Sequence, residues 1–310
     1  MNVNLLPTYF CNFRCHYCCW TPEQLSDPKT ISLSDAKQRL DEIPGDIDVV
    51  DIYGGEVAVL SEDYMYGLLD LCYARGAKAI NVVTNGSSLP SWLWAPNLTI
   101  GFSWDYKCRE DYKKVYENMS LFNRTFSINT VVTKCFLKQD LDKMIEMLNG
   151  LKHLYCWELK PYSPNLGNNL GLTNKEFEDT VMKVIEKRAL LRPDITFINQ
   201  DIQLEKAVRG TANPKVICDT IFILPTGKFG DFGYDGTGLE KFASFEDFNS
   251  WVAWKSARRD EIRGNTFCSK CAYLGKCMSE NMREVKHIDK DSCDGFIDLI
   301  TWYKSYDRTV

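Results

Sequence analysis

Four cysteines fall within nine positions of "YFCNFRCHYCCW" (9–20): Cys11, Cys15, Cys18 and Cys19. Cys11-x3-Cys15-x2-Cys18 supplies three thiolates from one short loop. A [4Fe–4S] cube has four irons, and cysteine thiolates are its usual ligands. Three protein ligands leave one iron open, and an open metal position is a reaction site, as it is in catalytic zinc enzymes. The rival is a structural zinc built on the pair Cys15 and Cys18. It needs a fourth ligand, for which His16 and Cys19 are poorly placed.

The composition suits such chemistry. The chain has 310 residues, 45% of them apolar, enough to bury a sizeable core in one large domain with or without a small one. A net charge of -5 without long charged blocks gives no case for nucleic acid or a membrane surface. No apolar run approaches a membrane span and no signal pattern follows Met1, so the expected location is cytoplasmic. A reducing cytosol disfavours structural disulfides, and the 13 cysteines then read as metal-binding or catalytic where clustered. Cys72, Cys108, Cys135 and Cys156 stand alone and read as plain buried thiols.

The elements that must position the cysteine loop alternate. Strands are expected at 3–10, 47–55, 78–86, 97–105, 125–133 and 154–162, and helices at 32–43, 61–76, 109–122, 138–150 and 173–190. Strand and helix in turn mean parallel βαβ units, with ligands at the C-terminal ends of the strands. Six units fit an open α/β barrel, a partial (β/α)6 TIM-like barrel over 1–195. Beyond it, at 196–310, a small C-terminal Cys-rich domain is expected. It comprises a hairpin around Pro225-Thr-Gly227, a helix at 244–258, and the cysteines of "CSKCAYLGKC" with Cys293 beyond.

With these residues in place, the chain resembles the radical S-adenosylmethionine (SAM) enzymes, whose signature C-x3-C-x-aromatic-C is met by Cys11, Cys15, Tyr17 and Cys18. The resemblance implies that the three cysteines hold a [4Fe–4S] cluster and that its open iron binds the amino and carboxylate groups of SAM. Reductive cleavage then yields a 5'-deoxyadenosyl radical that takes hydrogen from a substrate, and Tyr17 helps hold the adenine. Gly54-Gly55-Glu56, after the second strand, resembles the family's G-G-E segment. There glycines let backbone approach the ligand, and the carboxylate accepts from the SAM ammonium. "TNG" (84–86) and "FSWD" (102–105) echo further family segments; Ser103 is a candidate SAM contact, although Tyr106 replaces the expected glycine. Lys113 or Lys114 could meet the SAM carboxylate where relatives use arginine, with a solvated helix face as the plain alternative. Asn129 could face ligand or simply pack.

The C-terminal cysteines resemble a reduced SPASM appendage. Cys218 matches its opening cysteine and Gly227 its glycine, but Phe232 and Asn281 stand where two ligands of a first auxiliary cluster would be. Cys268, Cys271, Cys277 and Cys293 form the intact set for one auxiliary [4Fe–4S] cluster, or else a zinc knuckle, since the x2 spacing suits both. Relatives with this appendage modify ribosomally made peptides, or oxidise or epimerise small natural products such as aminocyclitols. A peptide substrate is the preferred expectation, with Cα epimerisation or crosslinking as the reaction and a flavodoxin or ferredoxin as electron donor. The orphan Cys218 is then a candidate hydrogen donor. The chain opens almost at strand one, so the peptide is expected to dock on the barrel mouth or to be held by a partner. The rival of another class is a non-catalytic iron–sulfur or zinc protein.

Overall fold

Each of the six apolar runs becomes a strand, and the stretches between them become helices. The computed structural model describes residues 1–161, 172–209, 220–232, 239–265, 271 and 296–306. The strands are β1 (Asn2–Leu5), β2 (Val49–Ile52), β3 (Ala79–Thr84), β4 (Leu98–Ser103), β5 (Phe126–Val131), β6 (Leu154–Lys160), β7 (Thr196–Phe197), β8 (Thr220–Ile223), β9 (Phe229–Phe232) and β10 (Leu239–Phe242). The helices are α1 (Pro22–Ser26), α2 (Leu33–Glu42), α3 (Glu62–Ala74), α4 (Tyr112–Leu121), α5 (Leu141–Gly150), α6 (Asn174–Glu186), α7 (Glu205–Arg209), α8 (Phe245–Asn265) and α9 (Ile297–Tyr306).

Local chemistry sets the helix ends. The Ser32 and Ser61 hydroxyls accept from the Asp35 and Tyr64 amides, and Thr173 forms a capping box with Glu176. Gly76 closes α3 at φ +82°, a left-handed conformation that glycine takes without steric cost.

The strands form one open sheet in the order β10-β9-β8-β1-β2-β3-β4-β5-β6-β7, parallel from β8 through β7. Burial alternates along β3 and β5. Ile80, Val82, Phe126 and Ile128 are fully buried. Asn81, Val83, Ser127, Asn129 and Val131, on the opposite face, are only partly buried. A parallel sheet covered on both faces would read apolar throughout. The alternation therefore marks one covered face and one that lines an open lumen. That lumen is polar: Asn81 donates to the Asp51 carboxylate at 2.7 Å.

The expected hairpin is present, with Gly227 at φ +71° in the turn between β8 and β9. Its place differs from the expected appendage. β8 pairs in parallel with β1, Asn2 with Thr220 through Leu5 with Ile223, so the hairpin continues the barrel's own sheet. At the other edge β7 is two residues long, and the Asn199 amide then bonds both the N–H and the C=O of Leu159 at 2.8 and 2.9 Å. One side chain thus substitutes for a strand and satisfies the edge. α9 packs back on α6, with the Phe177 and Phe296 rings 5.6 Å apart and the Leu299 N–H donating to Glu178.

Two isolated cysteines depart from the plain-thiol expectation. Cys108 and Cys135 form a disulfide with Cα atoms 5.7 Å apart. They follow the C-terminal ends of β4 and β5, and parallel pairing of those strands brings the two loops together within disulfide reach. Cys72 and Cys156 are buried thiols as expected.

Candidate active site

The loop after β1 carries Cys11, Cys15, Cys18 and Cys19 into a cavity of about 270 Å3 whose wall includes Tyr17, Gly54, Gly55, Asn85, Ser103 and Arg109. It lies at the C-terminal ends of the parallel strands, where such sheets gather ligands. The sulfurs already accept hydrogen bonds: the Phe13 N–H donates to Cys11 Sγ at 3.3 Å and the Trp20 N–H to Cys18 Sγ at 3.4 Å. Asn85 Nδ2 adds a longer contact to Cys11 Sγ at 3.8 Å. Donors aimed at cysteine sulfur stabilise thiolates and tune iron–sulfur clusters. Among the described residues no three such ligands converge on a single ion position. A [4Fe–4S] cube takes each thiolate on a different iron, and three thiols spread along one cavity wall can each reach a separate iron. The residues fit a [4Fe–4S] group.

Their electrostatics are uneven. Burial pushes the Cys11 thiol up to about 11, against the pull of the Phe13 N–H. Burial also raises Cys15, with the Arg109 cation opposing it. Cys18 goes the other way, held at about 7 first by its hydrogen bond with Cys19 and then by the Trp20 N–H, against its burial. Cys19, one residue outside the family signature, thus sits in the cavity and bonds a candidate ligand.

The loop after β2 is pinned to the cysteine loop. The Gly55 N–H donates to Thr8 O and the Glu56 N–H to Phe10 O, at 2.9 and 2.8 Å. A Cβ on Gly54, whose φ is +147°, would lie 2.4 Å from Thr8 O, and one on Gly55 only 2.1 Å from Phe10 O. The close approach that demands these glycines is therefore to the neighbouring loop.

Glu56 itself is 1% exposed and stands behind the cavity wall. Its Oε1 accepts from the Thr84 hydroxyl at 2.5 Å and the Ala58 N–H at 2.8 Å, and its Oε2 from the Asn85 N–H at 2.5 Å. Burial raises its pKa and these donors oppose the rise. A carboxylate offers about four lone pairs, so one on Oε2 is unused. The carboxylate ties "TNG" to the G-G-E segment, a link between two motifs that sequence reading treated separately.

A buried network closes the third side. Asp105, 1% exposed, accepts from the Tyr17 hydroxyl on Oδ2 and from the Val131 N–H on Oδ1 at 2.6 Å. Arg109 Nε lies 3.1 Å from both Asp105 Oδ2 and the Tyr17 oxygen, and Nη1 donates to the Ser103 carbonyl at 2.5 Å. Burial works against the Arg109 cation, but Asp105, Tyr17 and Cys15 outweigh it and raise the pKa above its ordinary value. Burial and Asp105 likewise raise Tyr17. The guanidinium has five N–H donors, and its remaining edge, on the cavity wall, meets no acceptor among the described residues.

Of the expected site residues, Cys11, Cys15, Tyr17, Cys18, Gly54, Gly55 and Ser103 share one cavity, and Glu56 supports it from behind. Lys113 and Lys114 are exposed; the cation at the site is Arg109. Asn129 is partly buried on the lumen face, its Nδ2 packed over Gly101. Cys218, Cys268, Cys277 and Cys293 lie outside the described residues, and Cys271 is partly buried against the core. Sequence reading missed Asp105 and Arg109, although Asp105 stands in the quoted "FSWD".

No family model and no curated protein matches this sequence. Solved structures do match its fold. "Native anSMEcpe with bound AdoMet and Cp18Cys peptide" aligns at a TM-score of 0.67 and 16% identity, covering 100% of this chain and 97% of that one. Streptococcus suis SuiB bound to precursor peptide SuiA aligns at 0.65 and 16%, covering 96% and 75%. The SuiB structure bound to S-adenosylmethionine aligns at 0.64 and 16%, covering 96% and 76%. The chain shares the open α/β partial-barrel fold of these structures. The cysteine signature and the architecture thus lead independently to one resemblance, and the six expected βα units are its open barrel. No helix among the described residues is long and apolar enough to cross a membrane.

Proposed function

We propose that this chain is a radical SAM enzyme acting on a peptide. The observation that carries the reading is a single cavity joining the C-x3-C-x-Tyr-C cysteines, with donors already on the Cys11 and Cys18 sulfurs, to an arginine edge without an acceptor among the described residues. Cys11, Cys15 and Cys18 would hold a [4Fe–4S] cluster. When bound, cluster and SAM supply one-electron cleavage of the sulfonium and so hydrogen abstraction from substrate. The chain's part is to bind and orient. Arg109 presents bidentate donors of the kind that suits a carboxylate, in the role sought at Lys113 and Lys114. The spare lone pair of Glu56 Oε2 would accept a hydrogen bond from the SAM ammonium, and Ser103 and Tyr17 would line the nucleoside side.

The finer reading is Cα epimerisation of a ribosomally made peptide, with Cys218 as the thiol that returns a hydrogen. It includes one auxiliary cluster on Cys268, Cys271, Cys277 and Cys293, and electrons from a flavodoxin or ferredoxin. Two of the matched structures are described with peptides bound, which supports a peptide substrate on fold likeness. The test is anaerobic reconstitution followed by dithionite and SAM. Release of 5'-deoxyadenosine is expected, and its absence from iron-replete protein overturns the reading. With a short peptide encoded beside the gene, turnover in D2O should place one deuterium at an inverted residue.

A further inference from the structure

Arg109 and Tyr17 are held by the same carboxylate, which is not itself part of the cavity wall. Asp105 follows the end of β4, reaches the Val131 N–H at the end of β5, and receives the Tyr17 hydroxyl from the middle of the cysteine loop. Its own carbonyl accepts the Cys108 and Arg109 N–H groups at 3.0 and 3.2 Å, which winds the segment that carries Arg109. Three separate pieces of chain thus meet on one buried residue.

Burying an aspartate is costly unless it is paired and hydrogen-bonded. Here two hydrogen bonds and a guanidinium at 3.1 Å compensate it. The compensation is directional. With Nε at Asp105 and Nη1 on the Ser103 carbonyl, the plane of Arg109 is set and its open edge must face the cavity. Arg109 is well held: its side chain is 9% exposed. Tyr17, fixed through its hydroxyl, in turn anchors the two-residue stretch between Cys15 and Cys18.

We propose that Asp105 is a positioning residue. Through Tyr17 it locks the cysteine loop onto the barrel, and through Arg109 it aims the carboxylate-binding edge into the site. The second half rests on the SAM reading above; the first half does not. Asp105 therefore couples loop order to SAM affinity without touching SAM or cluster.

Two measurements separate the halves. Hydrogen exchange of the metal-free protein reads loop order directly. Asp105→Asn removes the charge that pairs with Arg109, and exchange should speed at least tenfold in both 11–20 and 105–109. Tyr17→Phe keeps the Asp105–Arg109 pair and should speed exchange in 11–20 alone. If exchange in 11–20 is unchanged in both variants, the locking role is wrong. Calorimetric titration of SAM into reconstituted protein reads the second half. Asp105→Asn should weaken binding tenfold or more, Arg109→Lys by a similar factor through loss of the planar fork, and Tyr17→Phe only slightly. SAM affinity unmoved by Asp105→Asn but lowered by Arg109→Lys would sink the aiming role. Should the parent protein itself bind no SAM, the proposed function falls, and exchange still decides the lock. If Asp105→Asn does not fold, Tyr17→Phe carries the exchange measurement and Arg109→Lys the titration.

Discussion

Glu56→Gln is the sharpest perturbation of the site, because the carboxylate has two tasks that the amide cannot both perform. In the native protein Oε1 takes the Thr84 hydroxyl and the Ala58 N–H, and Oε2 takes the Asn85 N–H. Glutamine has a single acceptor oxygen. Whichever way the amide turns, at least one buried donor faces an NH2 group. An unsatisfied buried donor costs about 1–3 kcal/mol, which for a chain of this size lowers Tm by a few degrees, at about 2–4 °C per kcal/mol. The second task is the unused lone pair on Oε2. If it accepts the SAM ammonium, losing the charge removes about 1.5–3 kcal/mol of binding, a factor of ten or more in Kd. Differential scanning fluorimetry of metal-free protein reads the first quantity, and calorimetric titration of SAM into reconstituted protein reads the second. Iron content should stay at the parent value, since Glu56 is not a ligand. A lowered Tm with unchanged SAM affinity would leave Glu56 as an anchor of "TNG" and refute its role toward SAM. An unchanged Tm would refute the hydrogen-bonding account altogether.

Three further outcomes are expected. Reconstituted protein should hold about eight irons, four per cluster, and replacing Cys11, Cys15 and Cys18 together with alanine should leave about four; zinc in place of the remaining iron would instead establish the knuckle. Gly55→Ala drives a Cβ to 2.1 Å from the Phe10 carbonyl and 2.3 Å from that of Tyr9. The cost should exceed the 1–3 kcal/mol typical of overpacking, because backbone oxygens cannot turn aside, and parent-like Tm and iron content would contradict it. Burial pushes the Glu178 carboxyl from its ordinary 4.5 up to about 7, so across that window the folded state binds more protons than the unfolded one and stability falls as pH rises. The Tm of Glu178→Gln relative to the parent should therefore climb between pH 5 and pH 8, and a pH-independent difference would refute the assignment.

Much of this molecule was legible in one dimension. The strands at 79–84 and 126–131 lie inside the expected runs because short apolar segments bounded by capped helices leave little choice of period. The three cysteines and Tyr17 come from a single loop, so their spacing alone suggests the chemistry proposed for them. Signals of this kind are local: caps, periodicity and ligand spacing act over a few residues and need no knowledge of the fold. Tertiary structure decided everything that depends on which strand ends are neighbours. Parallel pairing of β4 with β5 joins Cys108 to Cys135, two residues that read as unrelated thiols. Pairing of β8 with β1, more than two hundred residues apart in the chain, carries the hairpin into the barrel's sheet. Adjacency of β4 and β5 delivers the Val131 N–H to Asp105, the cysteine loop reaching across the strand ends adds the Tyr17 hydroxyl, and together they fix Arg109 at the cavity while the nearby Lys113 and Lys114 remain in solvent. A charged residue on a loop looks alike in sequence whether it is solvated or buried; only burial against a partner from a distant strand distinguishes them.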